Sequence, residues 1–197
     1  GYFEAWSLES LLAIVRAAES ARSPVMTGFC GEYLVNPTRK FTEEVRLYGE
    51  LVRRVACNAS VPVATLLNES TDISVAYRGV RAGFDMVMFV DEQLSVEKLV
   101  APTQKLVEFA HACGVAVEGE VGALGMLEHV GGTQHLGKHT DPDAATKFVQ
   151  RTGVDALAVS VGNIHFLEGT TAELDFALLE ELQRNVRCPW YTRRHRY

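Results

Sequence analysis

An α/β fold on a parallel sheet is what this sequence predicts, and three observations predict it. Short apolar or β-branched runs alternate with amphipathic stretches along the whole chain. The strand runs are close to continuously apolar, as expected when both faces of a sheet are covered. No Asn-Gly or similar hairpin signal separates them. A doubly wound sheet and an eight-fold barrel both satisfy the pattern. The 197 residues favour neither cleanly, because a complete barrel takes about 250.

Tyr2 to Trp6 reads as the first strand. Ser7 follows as a helix N-cap, Glu9 suits the first turn, and Leu11, Leu12, Ile14 and Val15 give the helix an apolar face. The second strand is Val25 to Phe29, with its helix opening near Thr42, Glu43 and Glu44. The third, Val61 to Leu67, leads into a helix from Ser70 or Thr71 to Gly83. The fourth, Asp85 to Val90, precedes a helix from Ser95 to Gly114 that Pro102 should either perturb or begin. The fifth is Val115 to Val121. A loop rich in Gly and His then reaches Asp141-Pro142-Asp143, an N-cap with Pro at the first helical position, and a helix to Gly153. The sixth strand, Ala156 to Val161, precedes a helix from Asp175 to Asn185, and Pro189 and Trp190 begin a seventh strand. Thr192 to Tyr197 fit no strand pattern and read as an irregular tail. The expectation is one incomplete domain over residues 1–197, with about six βα units and the start of a seventh.

The net charge of −6 argues against a nucleic-acid surface, which needs clustered Lys and Arg. No apolar run approaches the ~20 residues that span a bilayer, and no basic-then-apolar leader opens the chain. Cys30, Cys57, Cys113 and Cys188 form no CxxC pair and read as reduced thiols. A cytoplasmic protein without nucleic-acid or membrane partners is expected. The open edge of an incomplete barrel invites self-assembly, so a homo-oligomer is also expected.

The chemistry is expected where the strands end. Asn68-Glu69 closes the third strand, Asp91-Glu92 the fourth and Asn163-Ile164-His165 the sixth, while Glu118 and Glu120 lie on the fifth, with Glu128 beyond. In parallel α/β folds ligands bind at the carboxyl ends of the strands, so these residues converge on one mouth. An acid after a strand is usually just a helix N-cap, the plainer reading for Glu92 and Asp72. Asp91, Glu120 and His165 together are better explained by a shared site. Carboxylates and an imidazole crowd badly unless a cation organises them, and the mixed set suits Zn²⁺ or Mn²⁺. His111 reads as a helix-end histidine, and His129, His135 and His139 as part of a solvated loop or, alternatively, a lid. Cys30 reads as a buried structural thiol.

The run Val117-Glu118-Gly119-Glu120-Val121-Gly122-Ala123-Leu124-Gly125-Met126-Leu127-Glu128 resembles a signature of the class II fructose-bisphosphate aldolases, departing at Met126, where a small residue is usual. Val61 to Ala64, Arg81 to Met88 and Thr152 to Val159 are similar to that family's third, fourth and sixth strands. The resemblance is collinear over nearly the whole chain and implies the (β/α)₈ TIM barrel, here incomplete. It further implies that His165 is a ligand of a catalytic zinc, that Glu120 and Asp91 hold a metal in an adjacent position, and that Glu128 moves a proton to and from substrate. The family's strand-three Asp-His pair, proton shuttle and zinc ligand, is Asn68-Glu69 here. An amide cannot act as a general base, whereas Glu69 can still bind a metal, with a preference for harder cations. After the metal His the family has a Gly and, shortly after, a Lys that help hold a substrate phosphate, whereas here Phe166 removes the close approach that Gly permits and Glu168 brings negative charge.

Two functions follow from the resemblance. The first is a divalent-metal-dependent aldehyde-lyase of carbohydrate metabolism that cleaves or condenses a ketose or hydroxy-ketone, with zinc as the implied metal. Its metal set would be His165, Glu120, Asp91 and Glu69, with positions 68 and 128 catalytic. The alternative is an inactive aldolase-like barrel with a binding or regulatory role.

Overall fold

The computed structural model describes residues 1–38, 40, 43–91, 93–122, 138–163 and 173–188, and the main chain alone of 125–127, 134–135 and 164–165. These residues divide into two compact units, Gly1–Asp91 with Lys105–Glu118, and Glu92–Gln104 with Gly119–Tyr197. Among them no helix is long and apolar enough to cross a membrane.

The first unit carries β1 (Tyr2–Glu4), α1 (Leu8–Ser20), β2 (Val25–Cys30), α2 (Gly31–Val35), α3 (Val45–Cys57), β3 (Val63–Ser70), α4 (Ile73–Ala82) and β4 (Met86–Phe89). Local sequence explains the helices. Ser7 caps α1 in a capping box with Ser10, and Asp72 caps α4 by accepting from the Ser74 amide. Five strands pair in parallel in the order β1-β2-β3-β4-β5, where β5 is Ala116–Val121. Leu11, Val52, Leu67, Val75 and Val87 are fully buried between helices and sheet. A buried side chain of this size contributes about 1.5–3 kcal/mol. The Asp85 carboxylate accepts from the Thr65 amide and hydroxyl, both at 2.9 Å, and pins β3 against the entry to β4.

The boundary between the units runs through α5 (Val96–Ala112) and β5. Pro102 lies inside α5 and does not begin it, so the Lys98 carbonyl lacks its helical donor. The second unit continues with β6 (Gly125–Leu127), β7 (Gln134–His135), α6 (Pro142–Thr152), β8 (Ala156–Val159), β9 (Ile164–His165) and α7 (Phe176–Asn185). β8 lies beside β5 in the main sheet. Gly119 lets the buried Phe148 of α6 pack against β5, since a Cβ there would sit 2.7 Å from its ring. The buried Thr140 ties the ends of β5 and β8. Its hydroxyl donates to the Val121 carbonyl and accepts from the Ser160 amide at 2.8 Å.

The six expected strands and their helices are present, within a few residues at their ends, and the fold is that of an incomplete TIM barrel. Three features differ from expectation. A five-residue helix, α2, follows β2 directly. A second, three-stranded sheet that the sequence pattern does not predict follows β5, in which β6 pairs antiparallel with β7 and parallel with β9. That ladder has two pairs per interface, too short for a periodicity signal. The third difference concerns His165, expected at the end of the sixth strand. The strand stops at Val159 and His165 lies on β9 in the second sheet. Gly162, at φ +96, turns the chain between them. The expected seventh strand at Pro189-Trp190 and the tail lie outside the described residues.

Gly28 lies between Glu4 of β1 and Leu66 of β3 in the ladder, and a Cβ on it would fall on the Leu66 carbonyl. Gly28→Ala should therefore force the strands apart and lower stability by about 3 kcal/mol, measured by urea unfolding. An unchanged midpoint would contradict this packing.

Candidate functional site

Parallel pairing ends β1, β2 and β3 on the same side, and it is the last residues of these strands that meet. Glu4 is the final residue of β1, Cys30 of β2, and Asn68 and Glu69 close to the final residues of β3. One ligand atom from each of Glu4, Cys30 and Glu69 lies within 4.8 Å of the others, a spacing that could hold a metal ion. Cys30 Sγ donates to Glu69 Oε2 at 3.6 Å. The Tyr2 hydroxyl and the Asn68 amide both donate to Glu4 Oε2, at 3.2 and 3.0 Å.

A regular strand could not bring Asn68 and Glu69 to the same corner, because consecutive side chains point to opposite faces. Here β3 carries a bulge. Leu67 pairs with Val87 and Ser70 with Phe89, so three steps on β3 match two on β4. Glu69 absorbs the extra residue at φ +41. For a non-glycine residue that conformation costs about 1–2 kcal/mol. The bulge re-aims its carboxylate toward Cys30.

Burial dominates the electrostatics here, with neighbouring acids second. Burial pushes the Cys30 thiol up to about 12, with Glu4 and Glu69 adding to the rise and the amides of Tyr33 and Glu32 opposing it. Burial also raises the Tyr2 hydroxyl, as does the neighbouring Glu4. Glu118, paired with Met88 across from the bulge, is raised to about 7, first by burial and then by the charge of Glu69.

The residues expected from sequence are placed as follows. Asn68 and Glu69 are in this corner. Asp91, half-buried, follows β4 in the first unit, and Glu120, half-buried, lies on β5 in the second. The side chain of His165 lies outside the described residues, as do Glu92, Glu128, His129, Phe166 and Glu168. Of the expected metal set, Glu69 is the member that the described side chains bring into a cluster, and its companions there are Glu4 and Cys30. Glu4 escaped sequence reading. A single acid in a three-residue strand carries no motif, and Asn68 is 64 residues away.

The fold and the Glu4–Cys30–Glu69 cluster at the strand ends define a TIM-barrel protein with a candidate cation site. The class II fructose-bisphosphate aldolase family profile matches residues 1–192, and the chain belongs to that family. A fructose-bisphosphate aldolase of Thermus caldophilus is 35% identical over 166 residues, covering 84% of this chain and 52% of the relative. A 6-phospho-5-dehydro-2-deoxy-D-gluconate aldolase of Shouchella clausii is 33% identical over 189 residues, covering 96% and 63%. The crystal structure of the YdjI aldolase from Escherichia coli K12 superposes with a TM-score of 0.77 at 28% identity, covering 96% of this chain and 64% of that one. The chain thus spans between about half and two thirds of the length of these relatives.

Two measurements follow. Glu118 binds its proton more tightly folded than unfolded, so its contribution is favourable below its ordinary value of 4.5 and is lost as pH rises toward about 7. Glu118→Gln should stabilise the protein by about 3 kcal/mol at pH 8 and leave it unchanged at pH 4. Equal effects at both pH values would contradict the shift. Cys30, 3% exposed and protonated, should resist iodoacetamide while the exposed Cys57 and Cys113 react, as mapped by mass spectrometry.

Proposed function

We propose that the protein is a divalent-metal-dependent lyase that makes or breaks a carbon–carbon bond beside the carbonyl of a ketose or hydroxy-ketone. The observation that carries this is the Glu4–Cys30–Glu69 cluster at the ends of three adjacent strands in a chain of the aldolase family. The donor set fits such an ion. Two carboxylates and a thiol at this spacing repel or lose hydration without a counter-charge, and mixed oxygen and sulfur donors suit Zn²⁺. When bound, the ion would polarise the substrate carbonyl and stabilise the negative charge that develops as the bond breaks.

The chain's own groups would divide the remaining work. Glu69 would belong to the metal set, with His165, Glu120 and Asp91 as the further ligands implied by family resemblance. Glu128 would move the proton at the substrate carbon. Asn68 cannot carry a proton, so its role is to bind and orient. The substrates that the relatives' names state are phosphorylated. Phe166 and Glu168 support an unphosphorylated substrate here, since a bulky ring and a negative charge follow His165.

Metal analysis of the purified chain, joined to lyase assays on a panel of ketoses with and without chelator, tests the proposal. The expected outcome is about one equivalent of divalent metal and an activity that chelation abolishes and metal restores. Metal-free protein that gains no activity with added Zn²⁺ or Mn²⁺ would contradict it.

A further inference from the structure

Asn68 stands in register with Cys30 across the β2–β3 ladder, and its side-chain amide reaches past β2 to Glu4 Oε2 at 3.0 Å. The other donor to that oxygen, Tyr2, sits two residues before Glu4 on the same strand. Tyr2 therefore holds Glu4 to its own strand, while Asn68 holds it to the strand that carries Glu69. Both donors fall on Oε2, so among the described residues Oε1 of Glu4 accepts no hydrogen bond. A glutamate side chain loses rotamer freedom when it binds, and one already clamped loses less.

We infer that Asn68 is a positioning residue for the cation, its amide holding the Glu4 carboxylate within ligand distance of Cys30 and Glu69. The inference rests on the metal-dependent reading above. An amide can do this and a carboxylate at position 68 cannot. Its –NH₂ group donates to Glu4, whereas an acid would set like charges 3.0 Å apart. Asn68 is thus the complement of Glu4, with the ligand on β1 and its clamp on β3. Replacing Asn68 by an acid would therefore disrupt the site and not restore one.

Titration of the whole chain with Co²⁺, followed by the thiolate-to-cobalt absorption band and by calorimetry, tests this. Wild type should bind with a thiolate band that Cys30→Ser removes. Asn68→Ala should weaken binding about tenfold, the loss expected for one charge-assisted hydrogen bond. Glu4→Gln should weaken it more, and adding Asn68→Ala to Glu4→Gln should cost nothing further, because the clamp then has no ligand to hold. Should Asn68→Ala fold poorly, Asn68→Asp reads the same contact. It should lower the melting temperature of the metal-free chain, and adding Glu4→Gln should recover the loss. Affinity within twofold of wild type for Asn68→Ala, or the same loss with and without Glu4→Gln, overturns the positioning role and leaves the cation reading standing. A wild-type chain that takes up no Co²⁺, Zn²⁺ or Mn²⁺ overturns both.

Discussion

Glu4 and Glu69, with the thiol of Cys30 between them, bring their donor atoms within 4.8 Å at the ends of three neighbouring strands. Like charges about 4 Å apart repel by roughly 4 kcal/mol at the effective dielectric of a protein surface. The Cys30 thiol and the neighbouring Glu118 carboxyl are both raised, first by burial and then by acidic charge, that of Glu4 and Glu69 at Cys30 and that of Glu69 at Glu118. A divalent cation among the three donors would offset the repulsion between the two carboxylates. The triad could therefore hold a cation, the reading on which the proposed function rests.

The fold enforces the crowding. Parallel pairing sends the ends of β1, β2 and β3 to one side. Gly28 allows close approach of the strands beneath the site. The bulge at Glu69 breaks the alternation that would otherwise send adjacent side chains to opposite faces, at the cost of a left-handed backbone. The Asn68 amide then connects β3 to β1. Each device acts on backbone or hydrogen-bond geometry within the first compact unit.

The element order was legible in the sequence because its signals are local. Ser7, Asp72 and Asp141 cap helices by bonding amides two or three residues away, and each is visible in a short window. The barrel was not legible from periodicity and came from the Val117–Glu128 run, where spacing and residue type together are specific. The site was legible in part. Asn68 and Glu69 stood out at a strand end, but nothing local told that a bulge would turn Glu69 toward Cys30. Glu4 was invisible, since its meaning comes from partners on β2 and β3. The placement of His165 on a separate short strand follows Gly162, whose positive φ turns the chain and cannot be told from sequence periodicity.

The most direct measurement is a zinc-edge anomalous difference map from a crystal of the chain grown with Zn²⁺. A peak bounded by Glu4, Cys30 and Glu69, with a Zn–S distance near 2.3 Å, is the expected result. Zinc bound elsewhere, with this corner holding only protonated side chains, would contradict a cation site at these strand ends.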